Sequence, residues 1–339
     1  MQNPPFKIAV LGAGAWGTAL AIQSARQGNE TLLWCRKPEQ AEAMAREREN
    51  TRYLKGVAFP EKLKATCELS DLSGCNSLIL AVPAQHLRSI LLQALPLLPK
   101  AVPLVLCTKG VEISSGLLMT EMIREIAPSH PVCVLSGPTF AIEVAKGLPT
   151  AVTFAADDRE WAGRFIDTFS SKSFRMYYTD DIQGSEIGGA VKNVIAIACG
   201  IVEGRQLGDN ARAALISRGL SEMIRLGLAC GGRAETLMGL SGLGDLTLTC
   251  TARQSRNYAL GFALGQGQSL QEHLNSRNTV AEGVSSAESV TALAQKLQLD
   301  MPICQAVHKV LHRNEPLDTV ISELLNRPQR AEPFLASTA

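Results

Sequence analysis

The sequence predicts an α/β N-terminal domain built on a doubly wound parallel sheet, followed by an all-α C-terminal domain. Short apolar runs alternate with helical patterns through the first half of the chain, which is typical of parallel strands covered by helices on both faces. A glycine-rich turn joins the first apolar run to the first helix. Beyond residue 182 the pattern indicates helices only, so we expect two domains in the 339 residues.

The turn after the first strand carries the Gly-x-Gly-x-x-Gly pattern. Residues 6–10 predict a buried strand and residues 19–26 a helix, so the glycines lie at the strand-to-helix turn. Gly12 allows the tight turn, Gly14 lets a pyrophosphate approach the backbone, and Gly17 lets the helix pack closely on the strand. The helix start offers N–H groups and a partial positive charge to phosphates. The motif therefore predicts a Rossmann-like domain that binds NAD or NADP.

The same patterns predict the remaining elements. A charged amphipathic helix is expected at residues 37–49. Apolar runs bounded by turn residues predict strands at 31–35, 77–82, 104–107, 132–135, 151–154 and 174–178. Further along, helices are predicted at 185–202, 210–229, 234–238, 253–264, 281–297, 303–311 and 316–326. We therefore assign a dinucleotide-binding domain to 1–182, a helical substrate domain to 183–327 and a frayed tail to 328–339.

Composition excludes several classes of function. Lys and Arg number 33 against 32 Asp and Glu, for a net charge of +1 without a charged block, which argues against a nucleic-acid partner. Nine cysteines, an odd number without C-x-x-C spacing, favour reduced thiols in a cytoplasmic chain. The apolar stretch 87–107 is interrupted by three prolines and a lysine, so we expect no membrane insertion. His308 and His312 lack accompanying ligands in the sequence, so we expect no metal site.

Two basic residues follow the second predicted strand, at the position that usually distinguishes NAD-binding from NADP-binding domains. An NAD-selective domain usually places an acidic residue about twenty positions beyond the glycines to bind the ribose 2′-hydroxyl. Here the second strand is followed by Arg36 and Lys37, which can pair with a 2′-phosphate. NADPH is therefore favoured, with NAD as the alternative. Both residues could also be ordinary solvated charges at the start of a helix.

Two lysines occur directly after or within strongly apolar segments, where a charged side chain is unusual. Lys109 directly follows an apolar strand, at the edge where parallel sheets bind ligands, although it could be a surface-turn lysine. Lys192 lies in the middle of the most apolar helix, so it must snorkel, pair or face a polar cleft. A desolvated ammonium is also a usable proton donor or acceptor near neutrality.

A glycine-rich segment follows later in the chain. Residues 239–250 predict an irregular loop, in which Asp245 could pair with Lys192 and orient it. Ser255, Arg256 and Asn257 predict the start of a helix, where N–H groups and a guanidinium could hold a phosphate. A capped surface helix with a solvated arginine is the alternative.

Seven segments of the sequence follow one another in an order that is typical of a known family. They are 12–17, 108–110, 136–141, 191–193, 240–246, 255–257 and 280–283. In these segments the chain resembles bacterial NAD(P)-dependent glycerol-3-phosphate dehydrogenases, from about residue 7 to residue 284. The most specific part of the resemblance is the combination of Lys109, Lys192 and Ser255-Arg256-Asn257.

The resemblance implies an oxidoreductase that interconverts dihydroxyacetone phosphate and sn-glycerol 3-phosphate, feeding glycerophospholipid synthesis as a cytoplasmic homodimer. Lys192 would donate the proton in reduction and accept it in oxidation, with Lys109 and Asp245 in the same catalytic set. The implied substrate-binding residues are Lys109, Gly137, Thr139, Lys192, Asp245, Ser255, Arg256 and Asn257. The implied cofactor-binding residues are Gly12, Gly14, Ala15, Trp16, Gly17, Arg36, Lys109, Ala141, Arg256, Val280 and Glu282. Ala15 stands where relatives often carry Ser, which matters little if the backbone N–H meets the phosphate.

Two alternatives remain open. The first is a β-hydroxyacid or 6-phosphogluconate-like dehydrogenase with the same layout, against which Asp245 and the segment 255–257 argue. The second is a dinucleotide-sensing module that is not an enzyme and whose helical half binds a protein partner. A complete set of Lys109, Lys192 and Asp245 is unexpected in such a module.

Overall fold

A computed structural model describes residues 6–275 and 281–328 of the chain, and it divides into two compact units. The first comprises Met1–Lys109 and Leu117–Ile182, and the second comprises Gly110–Gly116 and Gln183–Ala339. The sequence-based boundary at residue 182 did not anticipate that segment 110–116 groups with the helical unit. Most of the tail expected to be frayed, residues 329–339, lies outside the described residues.

The described residues of the first unit form one sheet of eight strands in the order β3-β2-β1-β4-β5-β6-β7-β8. The strands are β1 Lys7–Leu11, β2 Glu30–Trp34, β3 Leu63–Thr66, β4 Ser77–Leu80, β5 Leu104–Leu106, β6 Val132–Ser136, β7 Thr150–Ala156 and β8 Phe174–Thr179. Strand order reverses at β1, with β2 on one side of it and β4 on the other. The predicted doubly wound α/β class is confirmed.

Two features of the sheet differ from the sequence prediction. β7 runs antiparallel to β6, so the sheet is mostly rather than wholly parallel. The edge strand β3 was missed because it has four residues and exposes Lys64, which leaves too little apolar pattern to detect.

Helices cover both faces of this sheet. They are α1 Ala15–Arg26, α2 Pro38–Glu47, α3 Ala84–Ala94, α4 Met119–Ile126, α5 Ala141–Lys146 and α6 Arg159–Phe169. Ile8 and Val10 of β1 belong to the core on one face, whereas Ala9 and Leu11 belong to the core on the other. Because side chains alternate along a strand, a strand buried on both faces must be apolar at every position. This explains the continuous apolar runs.

The described residues of the second unit contain helices and no strand. The helices are α7 Ile182–Gly204, α8 Asp209–Ala229, α9 Ala234–Leu237, α10 Asp245–Thr251, α11 Arg256–Gly265, α12 Leu270–Asn275, α13 Gly283–Lys296, α14 Pro302–His312 and α15 Leu317–Leu325. Among the described helices, α7 alone has the length and apolar composition to cross a membrane. However, 83% of its most apolar window is buried within the fold, so it is a core helix.

The expected irregular loop at residues 239–250 is wrong. A π-helical turn, Leu240–Gly244, continues directly into α10. The glycines here permit close packing rather than a loop, because a Cβ on Gly242 would overlap the carbonyl of Leu237. On α7, a Cβ on Gly188 would likewise overlap the carbonyl of Ser241. Small residues therefore let this segment lie directly against α7.

The nine cysteines all lie in the described residues and none forms a disulfide. No group of three or more His, Cys, Asp or Glu side chains in the described residues could hold a metal ion. The rings of His308 and His312 stack with centroids 5.2 Å apart, and Nε2 of His312 lies 2.9 Å from the carbonyl oxygen of Val284.

A buried carboxyl group joins α8 to the first turn of α14. Glu222 is 1% exposed and accepts hydrogen bonds from the backbone N–H groups of Ile303, at 2.7 Å, and Cys304, at 3.1 Å. Burial raises the pKa of Glu222 to about 7, although both N–H groups oppose the shift. The carboxyl group thus titrates near neutrality in the folded protein.

This shift predicts a pH-dependent stability. A raised folded-state pKa gives a stabilising contribution that is complete below the ordinary value of 4.5 and is lost as the pH rises through about 7. We expect the melting temperature to fall between about pH 5 and about pH 8, and to fall less in Glu222→Gln, which cannot ionise. Thermal unfolding followed by circular dichroism measures the slope of melting temperature against pH for the wild type and for Glu222→Gln. Glu235→Gln, at an exposed position of α9, should keep the wild-type slope, and an unchanged slope in Glu222→Gln would contradict the assignment.

Candidate active site

The glycine turn of the first unit has a geometry that only glycine allows at two positions. Gly12 has a φ of +119°, and a Cβ there would lie 2.7 Å from the carbonyl oxygen of Ala81 at the end of β4. A Cβ on Gly17 would overlap the carbonyl of Gly12. At Gly14, in contrast, no described residue other than its two chain neighbours has an atom within 4 Å of the Cβ position. The turn is therefore closed on its protein side and open beside Gly14.

The open side of the turn fits a dinucleotide diphosphate. Gly14 is the N-cap residue of α1, and no described side chain caps that helix end. The first-turn N–H groups of an α-helix have no intrahelical partner and carry partial positive charge. The indole Nε1 of Trp16 is also buried without a hydrogen-bond partner among the described residues. Backbone donors, the helix dipole and open space thus coincide where a phosphate would bind.

Arg36 and Lys37 follow β2 and are both exposed. Lys37 is the N-cap residue of α2. β2 is the direct neighbour of β1, so both cations lie at the same edge of the sheet as the glycine turn. Exposed cations at this position fit a 2′-phosphate better than a 2′-hydroxyl.

The strands β5 and β6 bring further predicted residues to this edge. Lys109 is half-buried and follows Thr108, whose Oγ1 donates to the carbonyl oxygen of Val82 at 2.7 Å. Gly137 has a φ of +152°, and a Cβ there would lie 3.0 Å from Cα of Val152. Thr139 donates from Oγ1 to the carbonyl oxygen of Gly137 at 3.2 Å, and Ala141 begins α5. The carboxyl ends of parallel strands are where open sheets bind ligands.

In the second unit, Lys192 and Asp245 form a buried ion pair. Lys192 is 6% exposed and Asp245 is fully buried, and the Lys192 Nζ contacts the Asp245 Oδ1. Thr249 donates from Oγ1 to the carbonyl oxygen of Asp245 at 2.6 Å. Of the three outcomes that the sequence left open for Lys192, pairing is therefore observed and snorkelling is excluded.

A chain of amide hydrogen bonds begins at Asn193, the residue that follows Lys192 on α7. Asn257 donates from Nδ2 to Oδ1 of Asn193 at 2.8 Å, and its Oδ1 accepts from the backbone N–H of Gly283 at 2.9 Å. These bonds join α7, α11 and the first residue of α13. Glu282, a predicted cofactor residue, directly precedes α13 and is partly buried. Val280 lies outside the described residues.

The start of α11 combines two predicted residues, Ser255 and Arg256, with an anchor at Tyr258 that the sequence prediction missed. Ser255 caps the helix by accepting from the backbone N–H of Tyr258 at 3.3 Å, and Arg256 is exposed. The Tyr258 hydroxyl donates to Glu203, which also accepts from Nε of Arg253 at 2.9 Å. Burial and the neighbouring Glu203 raise the pKa of Tyr258 to about 12. No local pattern links residues 203 and 258, although a tyrosine in an otherwise apolar helical stretch was a signal that a polar partner was needed.

The two units thus carry complementary chemistry. The first presents backbone donors and cations for a dinucleotide. The second holds an ammonium group against a carboxylate and presents a capped helix start with an exposed guanidinium. Hydride transfer to a carbonyl group, followed by protonation of its oxygen, requires these two kinds of site.

Comparison with known proteins agrees with this chemistry. The family model described as NAD-dependent glycerol-3-phosphate dehydrogenase N-terminus matches residues 7–162, and the corresponding C-terminus model matches residues 181–322. The chain is similar to the glycerol-3-phosphate dehydrogenase (NAD(P)+) of Parvibaculum lavamentivorans, at 51% identity over 96% of this chain and 98% of the relative. For the same enzyme of Rhodospirillum rubrum the identity is 52%, over 96% and 93% of the two chains.

A solved structure is similar over almost the whole chain. The crystal structure of glycerol-3-phosphate dehydrogenase from Coxiella burnetii superimposes with a TM-score of 0.92 at 42% sequence identity. The superposition covers 95% of this chain and 99% of that chain.

The buried ion pair predicts a strong energetic coupling between its two members. Removing one partner leaves an uncompensated buried charge, so we expect Lys192→Met or Asp245→Leu alone to lower the free energy of unfolding by about 3–5 kcal/mol. The double variant should lose much less than the sum, because no buried charge remains. Urea unfolding followed by far-UV circular dichroism measures all four proteins. Strict additivity would show that the two side chains do not interact in solution.

Proposed function

Because this chain belongs to the family of NAD(P)-dependent glycerol-3-phosphate dehydrogenases, we propose that it reduces dihydroxyacetone phosphate to sn-glycerol 3-phosphate and catalyses the reverse reaction. The family, the Rossmann-like fold and the NAD(P) dependence that the motifs predicted are confirmed by the matches of both family models and by relatives about half identical over nearly the whole chain. The single structural observation that carries the proposal is the buried pair of Lys192 and Asp245.

Lys192 is the proton donor in our proposal. The bound nicotinamide supplies or takes up the hydride at the carbon of the carbonyl group. In reduction, negative charge grows on the ketone oxygen, where the Lys192 ammonium stabilises it and then donates the proton. Asp245 fixes the direction of the amine through its contact with the Lys192 Nζ. Such preorganised charge is worth on the order of 10²-fold or more in rate. In oxidation, Lys192 accepts the proton from the hydroxyl group.

The substrate phosphate has its own set of residues in the proposal. The exposed Arg256 and the capped start of α11 at Ser255 offer charge-assisted and dipolar donors. The phosphate is remote from the reacting carbon, so its binding energy can be used for positioning. Lys109, Gly137, Thr139 and Asn257 complete the proposed substrate set.

The proposed cofactor residues bind the two charged parts of the dinucleotide, the diphosphate and the 2′-phosphate. The glycine turn binds the diphosphate through backbone donors, which makes the Ala15 side chain unimportant there. Arg36 pairs with the 2′-phosphate, so NADPH is preferred. The other proposed cofactor residues are Gly12, Gly14, Trp16, Gly17, Lys109, Ala141, Arg256, Val280 and Glu282.

We further propose that the enzyme works in the cytoplasm as a homodimer and supplies glycerol 3-phosphate for glycerophospholipid synthesis. The nine free cysteines are consistent with a reducing compartment. The dimer is suggested by the family resemblance.

The catalytic assignment predicts the behaviour of a Lys192→Arg variant, which keeps the charge beside Asp245 but is a poor proton donor. We expect NADPH oxidation with dihydroxyacetone phosphate to slow by about 10²-fold or more, while the dissociation constant for NADPH stays within about twofold. Absorbance of the reduced nicotinamide measures turnover, and fluorescence titration measures binding. Lys296→Ala, at an exposed position of α13, should behave as the wild type.

Three outcomes of this assay would count against the proposal. Wild-type turnover with hydroxyacids, but not with dihydroxyacetone phosphate, would favour a different dehydrogenase. NADPH binding without turnover on any phosphorylated ketose would favour a sensor. Full activity in Lys192→Arg would remove the proton-donor role.

Arg36 predicts the cofactor preference. In Arg36→Asp, a carboxylate would repel the 2′-phosphate and could accept from a 2′-hydroxyl, so the NADPH-to-NADH ratio of kcat/KM should fall by about tenfold or more. Steady-state assays with each nucleotide measure the ratio. Arg46→Asp, at the other end of α2, is the matched control and should leave it unchanged. If Arg36→Asp leaves the ratio unchanged as well, Arg36 does not select the cofactor.

A further inference from the structure

One backbone carbonyl of the glycine turn is held by two side chains from outside the turn. The Ala13 carbonyl oxygen accepts hydrogen bonds from Nε2 of Gln40, at 3.2 Å, and from Nδ2 of Asn50, at 3.0 Å. Gln40 lies on α2, and Asn50 lies three residues beyond its end. Nδ2 of Asn50 also donates to Oγ1 of Thr18 on α1, at 2.8 Å. Asn50 therefore bridges the turn and the helix that follows it.

The peptide between Ala13 and Gly14 lies at the open side of the turn. In a planar trans peptide, the carbonyl of one residue and the N–H of the next point in opposite directions. Fixing the Ala13 carbonyl towards Gln40 and Asn50 therefore points the Gly14 N–H away from them. Glycine gives the backbone unusual freedom, and apart from Gly14 and its two chain neighbours no described residue has an atom within 4 Å of the Gly14 Cβ position. Gly14 has no side chain to oppose rotation of this peptide, so the two hydrogen bonds to the Ala13 carbonyl are the restraint that the structure shows.

The state of Asn50 itself also indicates a role beyond stability. Asn50 is 1% exposed, and its Oδ1 is buried with no partner among the described residues. The amide cannot simply be reversed, because the Ala13 carbonyl oxygen only accepts and so must face the NH₂ group. A buried acceptor without a partner lowers stability. The side chain thus donates to the turn while its own oxygen stays unsatisfied.

We propose that Asn50, assisted by Gln40, is a positioning residue that directs the Gly14 N–H towards the diphosphate of the bound dinucleotide. The inference rests on the proposed function for the ligand, but it adds residues that neither the glycine motif nor the family resemblance assigned. Asn50 does not contact the phosphate. It acts through the direction of one peptide group, whose N–H donates to a charged oxygen.

Asn50→Leu tests this role, because leucine has a similar size, lacks the donor and removes the unpaired oxygen. Asn29→Leu is the matched control. Asn29 is also buried in the first unit, and its Nδ2 donates to the carbonyl oxygens of Ser24 and Thr168, both at 3.1 Å, away from the glycine turn. Each variant is titrated with NADPH and with adenosine 2′-monophosphate, which carries the adenosine and its 2′-phosphate but no diphosphate.

If Asn50 acts by positioning the Gly14 N–H, its loss should weaken the binding of NADPH but not that of adenosine 2′-monophosphate. We expect Asn50→Leu to bind NADPH about 10- to 100-fold more weakly, the range for one hydrogen bond to a charged group. Its affinity for adenosine 2′-monophosphate should stay within about twofold. Asn29→Leu should keep both affinities. Gln40→Leu, which removes the second donor from a partly exposed site, should weaken NADPH binding several-fold and decides the question if Asn50→Leu does not fold.

Two results would overturn the inference. Wild-type NADPH affinity in both the Asn50 and the Gln40 variant would show that the carbonyl needs no external restraint. Equal loss of both ligands would show a general distortion of the nucleotide-binding unit. Failure of the proposed function is a separate result, because the wild-type protein itself would then fail to bind NADPH or to turn over dihydroxyacetone phosphate.

Discussion

The ion pair between Lys192 and Asp245 is the interaction on which the helical unit and its proposed chemistry depend. An unpaired ammonium in the core of α7 would cost several kcal/mol, so the helix can carry Lys192 only with a carboxylate beside it. Asp245 reaches that position because the π-helical turn before α10 lies directly against α7. Gly188 and Gly242 make the approach possible, since a Cβ on either would overlap a backbone carbonyl. The close packing at these two glycines therefore also places the Asp245 carboxylate beside Lys192.

Buried side chains fix the groups that are proposed to meet ligands. Asn257 is bonded on both sides of its amide, Tyr258 is bonded to Glu203, and the Ala13 carbonyl is bonded to Asn50. The residues proposed to bind phosphates, Arg36 and Arg256, are exposed instead. Hydrogen-bonded groups of this kind suit a protein that binds charged ligands, because they reduce the reorganisation needed on binding.

The strength of local patterns explains which elements could be predicted from the sequence. The glycine turn, most of the buried strands and the long helix α7 have unbroken apolar runs or a strict motif. The short edge strand β3 has only four residues and exposes Lys64, so its apolar pattern is weak. The antiparallel direction of β7 leaves no local signature, because an apolar strand reads the same in either direction. The glycines at 239, 242 and 244 predict a loop from local sequence alone, whereas a Cβ on Gly242 would overlap the carbonyl of Leu237, so this glycine is a position of close packing.

The sequence by itself determined the fold class, the nucleotide-binding turn and the family, because these depend on periodicity and on residues close together in the chain. It also marked Lys192 as anomalous, since a charge in an apolar helix is visible without coordinates. Only the tertiary structure decided how that charge is satisfied, and that Glu203 anchors Tyr258 and Asn50 holds the glycine turn. Each of these contacts joins residues more than thirty positions apart. Such partners are selected by packing in three dimensions, which no spacing along the chain encodes.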